Sequence, residues 1–304
     1  MIGFALLLVF VGIAAGPVLA PIDKVGLRRI LGWSVVLGLL AGAHVLVDGD
    51  DPIIRMIVIC SVLLGAMKGM VYAEWAQREQ LPLGNYLVFA FCWFGMDPQS
   101  FRKRKKGLTW REDIVWGIGL MMVGTLGGWL VWCSGNRQIL VMFVPMSLGF
   151  HFGALRVLKG VHRLAGFPVR TLFPNLLKAT GNADFWSRRW NVGYSQMMQR
   201  IVGRPVEAKA GKAWGIMAVF LMSGLFHEIA ITLPVNAGFG LPTIYFVCHG
   251  LLVLLEMKFG KPLGKVVTLL AVGLPLGILF PPEFQKEVIE RCLSVMEVFL
   301  WKRE

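Results

Sequence analysis

About eight stretches of this chain are apolar over close to the 20 or so residues that a helix needs to cross a bilayer, and that repetition limits the fold more than any other feature. They are residues 2–20, 30–47, 53–73, 114–133, 139–157, 213–233, 243–257 and 266–280. In hydrocarbon every backbone N–H and C=O must find a partner inside the protein, so runs of this length form helices rather than lipid-exposed loops or open sheets. With 56% hydrophobic and only 16% charged residues among 304, the chain is too apolar for a soluble domain. It reads as an all-α polytopic membrane protein, one domain over residues 1–304, with about 8–9 transmembrane helices plus interfacial or re-entrant ones. Residues 83–96 are short for a span and read as re-entrant or interfacial. In residues 284–301, Lys286, Glu287, Glu290, Arg291 and Glu297 interrupt an apolar face of Val288, Ile289, Leu293, Met296 and Leu300. That pattern fits an amphipathic helix lying on the membrane, with a final span as the alternative.

Charge orients the spans. No Lys or Arg precedes the first apolar run, whereas Lys24, Arg28 and Arg29 follow it, so the loop after the first helix is expected in the cytoplasm and the N-terminus outside. Val18-Leu19-Ala20 resembles a signal-peptidase site, but this charge order favours a retained first helix. The net charge of +13 gathers in residues 101–106 and in residues 156–212. Topology and attraction to anionic head groups account for the bulk of it, and part of the 156–212 surface also suits a phosphate-bearing substrate. The basic runs lack a nucleic-acid-binding motif or a soluble domain to carry one, so no nucleic-acid partner is expected. Cys60, Cys92, Cys133, Cys248 and Cys292 are scattered singly with no paired spacing, which indicates neither a disulfide framework nor a metal site.

Two segments carry chemistry that lipid anchoring does not require. Residues 157–213 are too long for a casual connection and contain Asn182-Ala-Asp-Phe-Trp-Ser-Arg-Arg-Trp-Asn191, with two Trp, two Arg and two Asn in ten residues. Asn182 or Asp184 suits a helix cap, and Asp184 reaches Arg188 at i,i+4. On one continuous helix Phe185, Trp186, Arg189 and Trp190 share a side, and Arg188 and Asn191 lie a turn apart on another. An interfacial anchor explains the Trp and Arg residues but leaves the amide of Asn191 without a role.

The second segment is the ionisable pair His227-Glu228 in the run 213–233. A charged side chain near the bilayer centre costs about 2.5–3.5 kcal/mol on insertion scales, so such residues face a bundle interior or a watery cavity and serve a pathway or a reaction. Ser223 lies at i−4 from His227, and Gly224 at i−3 leaves space beside it. A satisfied interhelical hydrogen bond is the plain alternative for His227, and for Glu228 a packing contact through Thr232 at i+4. His44, His151 and His249 lack comparable polar neighbours along the chain.

Taken in order, Phe185-Trp-Ser-Arg-Arg-Trp-Asn191 and Ser223-Gly-Leu-Phe-His-Glu228 resemble the membrane-bound O-acyltransferase superfamily, in its wax synthase-like branch. The likeness is best over residues 155–256, with Ser187 where that family commonly has Gly. It implies a bundle in which His227 and Asn191 are catalytic, with Trp186, Arg188, Arg189, Trp190, Ser223 and Glu228 around the substrates. It also implies acyl-CoA as co-substrate with no other cofactor or metal, and a lipophilic alcohol as acceptor, among membrane lipids. Acyl transfer to a hydroxyl needs a base for a weak nucleophile, which a neutral imidazole supplies, and a fixed donor for the developing oxyanion. Asn191 either provides that donor or orients His227, and Ser223 is a candidate covalent nucleophile, though direct transfer is favoured. A sterol or acylglycerol acceptor is the alternative within the family. Outside it stands a proton-coupled transporter using His227 and Glu228, although no internal repeat supports one, and a non-catalytic scaffold. The expected host is the bacterial inner membrane or the endoplasmic reticulum; oligomeric state is left open.

Overall fold

The computed structural model describes residues 2–77 and 79–294. They divide into two compact units, Met1–Arg104 and Lys105–Glu304. Among the described residues, seven helices are long and apolar enough to cross a membrane. An eighth apolar stretch is a pair of helices bent by 81°. The chain is thus an integral membrane protein by its helices, as its hydropathy predicts.

In the first unit α1 (Ile2–Leu19), α2 (Val25–Leu46) and α3 (Pro52–Trp75) pack on one another, followed by the short α4 (Leu83–Cys92). Without a hydrophobic force between helices in lipid, small residues let backbones approach and gain van der Waals contact. A Cβ on Gly12 would stand 2.8 Å from the backbone N of Ala66, so α1 and α3 meet where a side chain is missing. Several polar groups of these helices are paired inside the unit. Glu74 at the end of α3 accepts from Arg29 at 2.9 Å and Arg28 at 3.4 Å. Lys68, fully buried, donates to the carbonyl oxygens of Phe89, at 2.9 Å, and Gly95, tying α4 and the chain beyond it to α3.

In the second unit α5 (Arg111–Cys133) packs along α6 (Ile139–Leu164), and α7 (Lys212–Val235) along α8 (Leu241–Phe259). The bent pair is α9 (Lys265–Leu279) and α10 (Pro282–Ser294). On α5 the apolar Val115, Trp116, Met122 and Leu126 are exposed while Gly117, Gly124 and Gly128 are buried, the arrangement expected of a lipid-facing helix. The last expected helix is continuous with this bent pair. Val288, Ile289 and Leu293 are buried against protein, and Met296, Glu297 and Leu300 lie outside the described residues.

Two π-helical turns interrupt the spans, at Leu148–Ala154 in α6 and at Glu228–Thr232 in α7. Such turns widen a helix locally and are frequent at functional sites. The second begins at the residue after His227.

Candidate active site

The segment between α6 and α7 is a chain of short helices, and a carboxylate from α8 sets its start. Glu256 accepts from the backbone N–H groups of Asn182, Ala183 and Leu263, each at 2.8 Å. It therefore does the capping that the sequence suggests for Asn182 or Asp184. Asn182 is instead fully buried, its amide donating to the His249 carbonyl at 2.8 Å and pairing through Oδ1 with His249 Nδ1 at 3.0 Å. So His249 does have a polar partner, 67 residues away in sequence.

From there the chain does not continue as one helix. Asn182–Asp184 runs into a π-helical turn, Phe185–Arg189, closed by Trp190 N–H donating to the Phe185 carbonyl at 2.9 Å. Asn191 then takes left-handed backbone angles, φ 40° and ψ 60°, and its Oδ1 accepts from Tyr194 N–H at 3.2 Å to cap the helix Val192–Met198. Asn is one of the few residues besides Gly that tolerates this conformation. The break turns Asn191 away from the helical position that i,i+3 spacing assigns to it. With Oδ1 used as a cap, Asn191 Nδ2 has no acceptor among the described residues.

His227 closes the α-helical part of α7. Its Nδ1 lies 2.6 Å from the Ser223 carbonyl, which only accepts, so Nδ1 carries the proton and Nε2 keeps its lone pair. The ring packs on Phe246 at 4.3 Å between centroids. Ser223 donates its hydroxyl to the Val219 carbonyl at 2.9 Å and accepts from Tyr194 at 3.3 Å, so His227 does not hold its proton. Burial pushes the Tyr194 phenol above its usual range, an effect the Ser223 hydrogen bond partly opposes, and Tyr194 stays a donor. Gly224 serves a different purpose from the one its spacing suggests. A Cβ there would meet the Thr243 Cα at 2.7 Å, so the gap beside His227 is filled by the backbone of α8 rather than left for a ligand.

His227, Asn191, Trp186, Trp190 and Ser223 line one cavity of about 230 Å³. The structure thus gathers residues 36 apart in sequence around a common space. Trp186 lies across rings from three elements: Phe220 of α7, Tyr245, Phe246 and His249 of α8, and its neighbour Phe185. Its indole N–H is buried without a hydrogen-bond partner among the described residues. Tyr194, Gln199 and Phe246 also line the cavity and carry no motif that would single them out; only the helix start after Asn191 hints at Tyr194.

Arg188, Arg189 and Glu228 lie outside this lining. Arg188 is 78% exposed, and Arg189 pairs with Asp184 at 3.1 Å, because the π-helical turn swings both away from the Trp186 side. Glu228 caps α8: its Oε1 accepts from Gly240 N–H at 3.1 Å, Thr243 N–H at 3.0 Å and Thr243 Oγ1 at 2.7 Å, and its Oε2 from Thr232 Oγ1 at 2.7 Å. A carboxylate with four donors at a helix N-terminus is a structural anion, not a substrate contact. We expect Glu228→Ala to lower the thermal midpoint in detergent, and Glu228→Gln to do so less. An unchanged midpoint in the alanine variant would show that α8 does not depend on this cap.

Residues 169–248 match the family described as membrane bound O-acyl transferase family. Over 161 residues the chain is 29% identical to the probable long-chain-alcohol O-fatty-acyltransferase 2 of Arabidopsis thaliana, covering 44% of this chain and 46% of that protein. Over 183 residues it is 26% identical to the probable long-chain-alcohol O-fatty-acyltransferase 7 of the same plant, 52% of each. The long-chain-alcohol O-fatty-acyltransferase of Simmondsia chinensis is 30% identical over 131 residues, 37% of each. The chain spans about half or less of the length of these relatives. The matched stretch contains both the Phe185–Asn191 motif and His227.

Proposed function

We propose that this chain, whose residues 169–248 carry the membrane bound O-acyl transferase match and whose similarities lie in the wax synthase-like branch, is a membrane-embedded O-acyltransferase. It moves a fatty acyl group from acyl-CoA to the hydroxyl of a long-chain alcohol. The observation that carries this reading is the cavity shared by His227, with Nε2 unprotonated, and Asn191, with its amide N–H groups unspent.

In the proposed reaction Nε2 of His227 takes the alcohol proton as the oxygen attacks the thioester carbon. The bond to Ser223 O holds the ring and favours the imidazolium that forms. Asn191 Nδ2 donates to the oxyanion, and the C–S bond then breaks, with the His227 proton passing to the CoA thiolate. Because the Asn191 carbonyl caps a helix and no hydrogen bond joins it to His227, the donor role fits better than the orienting one. The Ser223 hydroxyl is engaged with Val219, which favours direct transfer over an acyl-serine route. Glu228, fully occupied by its four donors, is poorly placed to relay protons, which weighs against the transporter reading.

The test is purified protein with labelled palmitoyl-CoA and separate long-chain alcohols, sterols and diacylglycerol, the products separated by mass. Ester with the fatty alcohol is the expected result; no ester from any acceptor would end the proposal. Asn191→Asp preserves the left-handed preference and the capping oxygen while removing the N–H donors. It should fold normally and lose about 10²-fold in kcat, the usual effect of deleting one oxyanion donor. Ser223→Ala should retain substantial turnover and accumulate no acyl-enzyme; a trapped acyl-serine in the unmodified protein would reverse that assignment.

A further inference from the structure

His227 and Asn191 stand on different elements, and no hydrogen bond joins them among the described residues. Catalytic groups must be held within about 0.5 Å of a productive geometry, so something else has to fix the gap between them. The two elements form a helical hairpin. The chain is helical from Val192 to Ala210, turns at Gly211, where φ is 89°, and returns as α7 from Lys212. Near the turn the arms touch. A Cβ on Gly215 would stand 2.9 Å from the Gly203 carbonyl oxygen, and one on Gly203 would stand 2.9 Å from Val219 Cγ2, so missing side chains let the backbones close here. Further from the turn the His227 cavity lies between them, lined by Asn191, Ser195 and Gln199 from one arm and by Val219, Ser223 and His227 from the other.

Tyr194 crosses that space. It stands roughly 13 Å along its arm from Gly203, at the end away from the close contact. Its phenol donates to Ser223 Oγ at 3.3 Å, and its backbone N–H donates to Asn191 Oδ1 at 3.2 Å. Ser223 in turn donates to the Val219 carbonyl at 2.9 Å and offers its own carbonyl to His227 Nδ1 at 2.6 Å. One residue is thus bonded to Asn191 by its main chain and, by its side chain, to the serine that holds the imidazole. At 3.3 Å the phenol bond is long for two hydroxyls, which makes it one modest neutral hydrogen bond, worth about a three- to tenfold effect.

We propose that Tyr194 is a positioning residue, a strut that fixes the imidazole of His227 relative to the amide of Asn191 by way of Ser223. It touches neither reacting atom; it sets where the base and the oxyanion donor stand with respect to each other. Its effect on turnover rests on the acyl transfer proposed above, whereas the strut itself is a property of the folded chain.

Tyr194→Phe keeps the ring and the backbone N–H that bonds Asn191 and deletes only the phenol oxygen, while Ser223→Ala deletes the same bond from the other side. The whole chain in detergent is compared as the unmodified protein, the two single variants and the double, each checked by its thermal midpoint; should one single variant fail to fold, the other reports on the same bond. With palmitoyl-CoA and a long-chain alcohol, each single variant is expected to lose about three- to tenfold in kcat with KM unchanged for both substrates. For Ser223→Ala that still leaves the substantial turnover expected above. The double variant should be no slower than the slower single one, because both substitutions remove one bond. A second readout needs no turnover. In protein carrying isotope-labelled histidine, with the His227 signal assigned by its loss in His227→Gln, the Nδ1 proton should exchange with deuterated solvent about three- to tenfold faster in either variant than in the unmodified protein. Losses that multiply in the double variant, a raised KM with unchanged kcat, or unaltered proton exchange in both single variants overturns the proposal. If the unmodified protein forms no ester from any acceptor, acyl transfer falls and proton exchange alone decides on Tyr194, whereas ester formed with kcat indifferent to Tyr194→Phe sinks the strut alone.

Discussion

Replacing His227 by alanine is expected to abolish ester formation from palmitoyl-CoA and a long-chain alcohol while leaving the protein folded in detergent. General-base assistance contributes about 10²–10⁴ in rate. Here the loss should reach the upper end, since no other imidazole or carboxylate lines the cavity. Folding should be spared because the ring's hydrogen bond goes to a carbonyl in its own helix and its one aromatic neighbour is Phe246. His227→Gln is the sharper variant: its amide keeps a donor for the helix but supplies no base, so it should be equally inactive. Ester formation by either variant at a rate near that of the unmodified protein removes His227 from the chemistry.

The second large effect is expected from Glu256, which does not itself line the cavity but holds the backbone of Ala183, which does. Glu256→Ala strips three backbone N–H groups of their acceptor, and a buried donor left unsatisfied costs about 1–3 kcal/mol. The loss falls on the start of the segment that leads to Trp186, Trp190 and Asn191. Activity and the thermal midpoint should therefore drop together, unlike in Asn191→Asp, where turnover falls alone. Glu256→Gln should be intermediate, because Oε1 keeps its two acceptances from Asn182 and Leu263 while the new amide faces the Ala183 N–H as donor against donor. Full activity with an unchanged midpoint in Glu256→Ala would show that the segment is held by other contacts.

Helix existence was readable from hydropathy because a span is a local property: about 20 consecutive residues must each be compatible with lipid. The paired motifs were readable too, and His227 and Asn191 do line one cavity. Where the sequence reading departs from the structure, the reason lies in backbone geometry that side-chain periodicity does not encode. A uniform 3.6-residue repeat puts Trp190 and Asn191 on the Phe185 helix, but the π-helical turn and the left-handed Asn191 end that helix before them. The same turn leaves Arg188 and Arg189 outside the cavity.

Long-range partners were the other invisible part. Glu228 and Glu256 differ little in sequence, each an acid within an apolar run, yet each caps a helix start that lies beyond its own turn of helix. Gly224 looks like room for a ligand until α8 is packed against it. Composition and spacing thus determined that the chain crosses the membrane as helices and which residue types carry chemistry, because both follow from local solvation and side-chain reactivity. Which polar groups are already spent, and which remain for a substrate, only the tertiary structure decided, because hydrogen-bond partners are chosen by distance in space rather than along the chain.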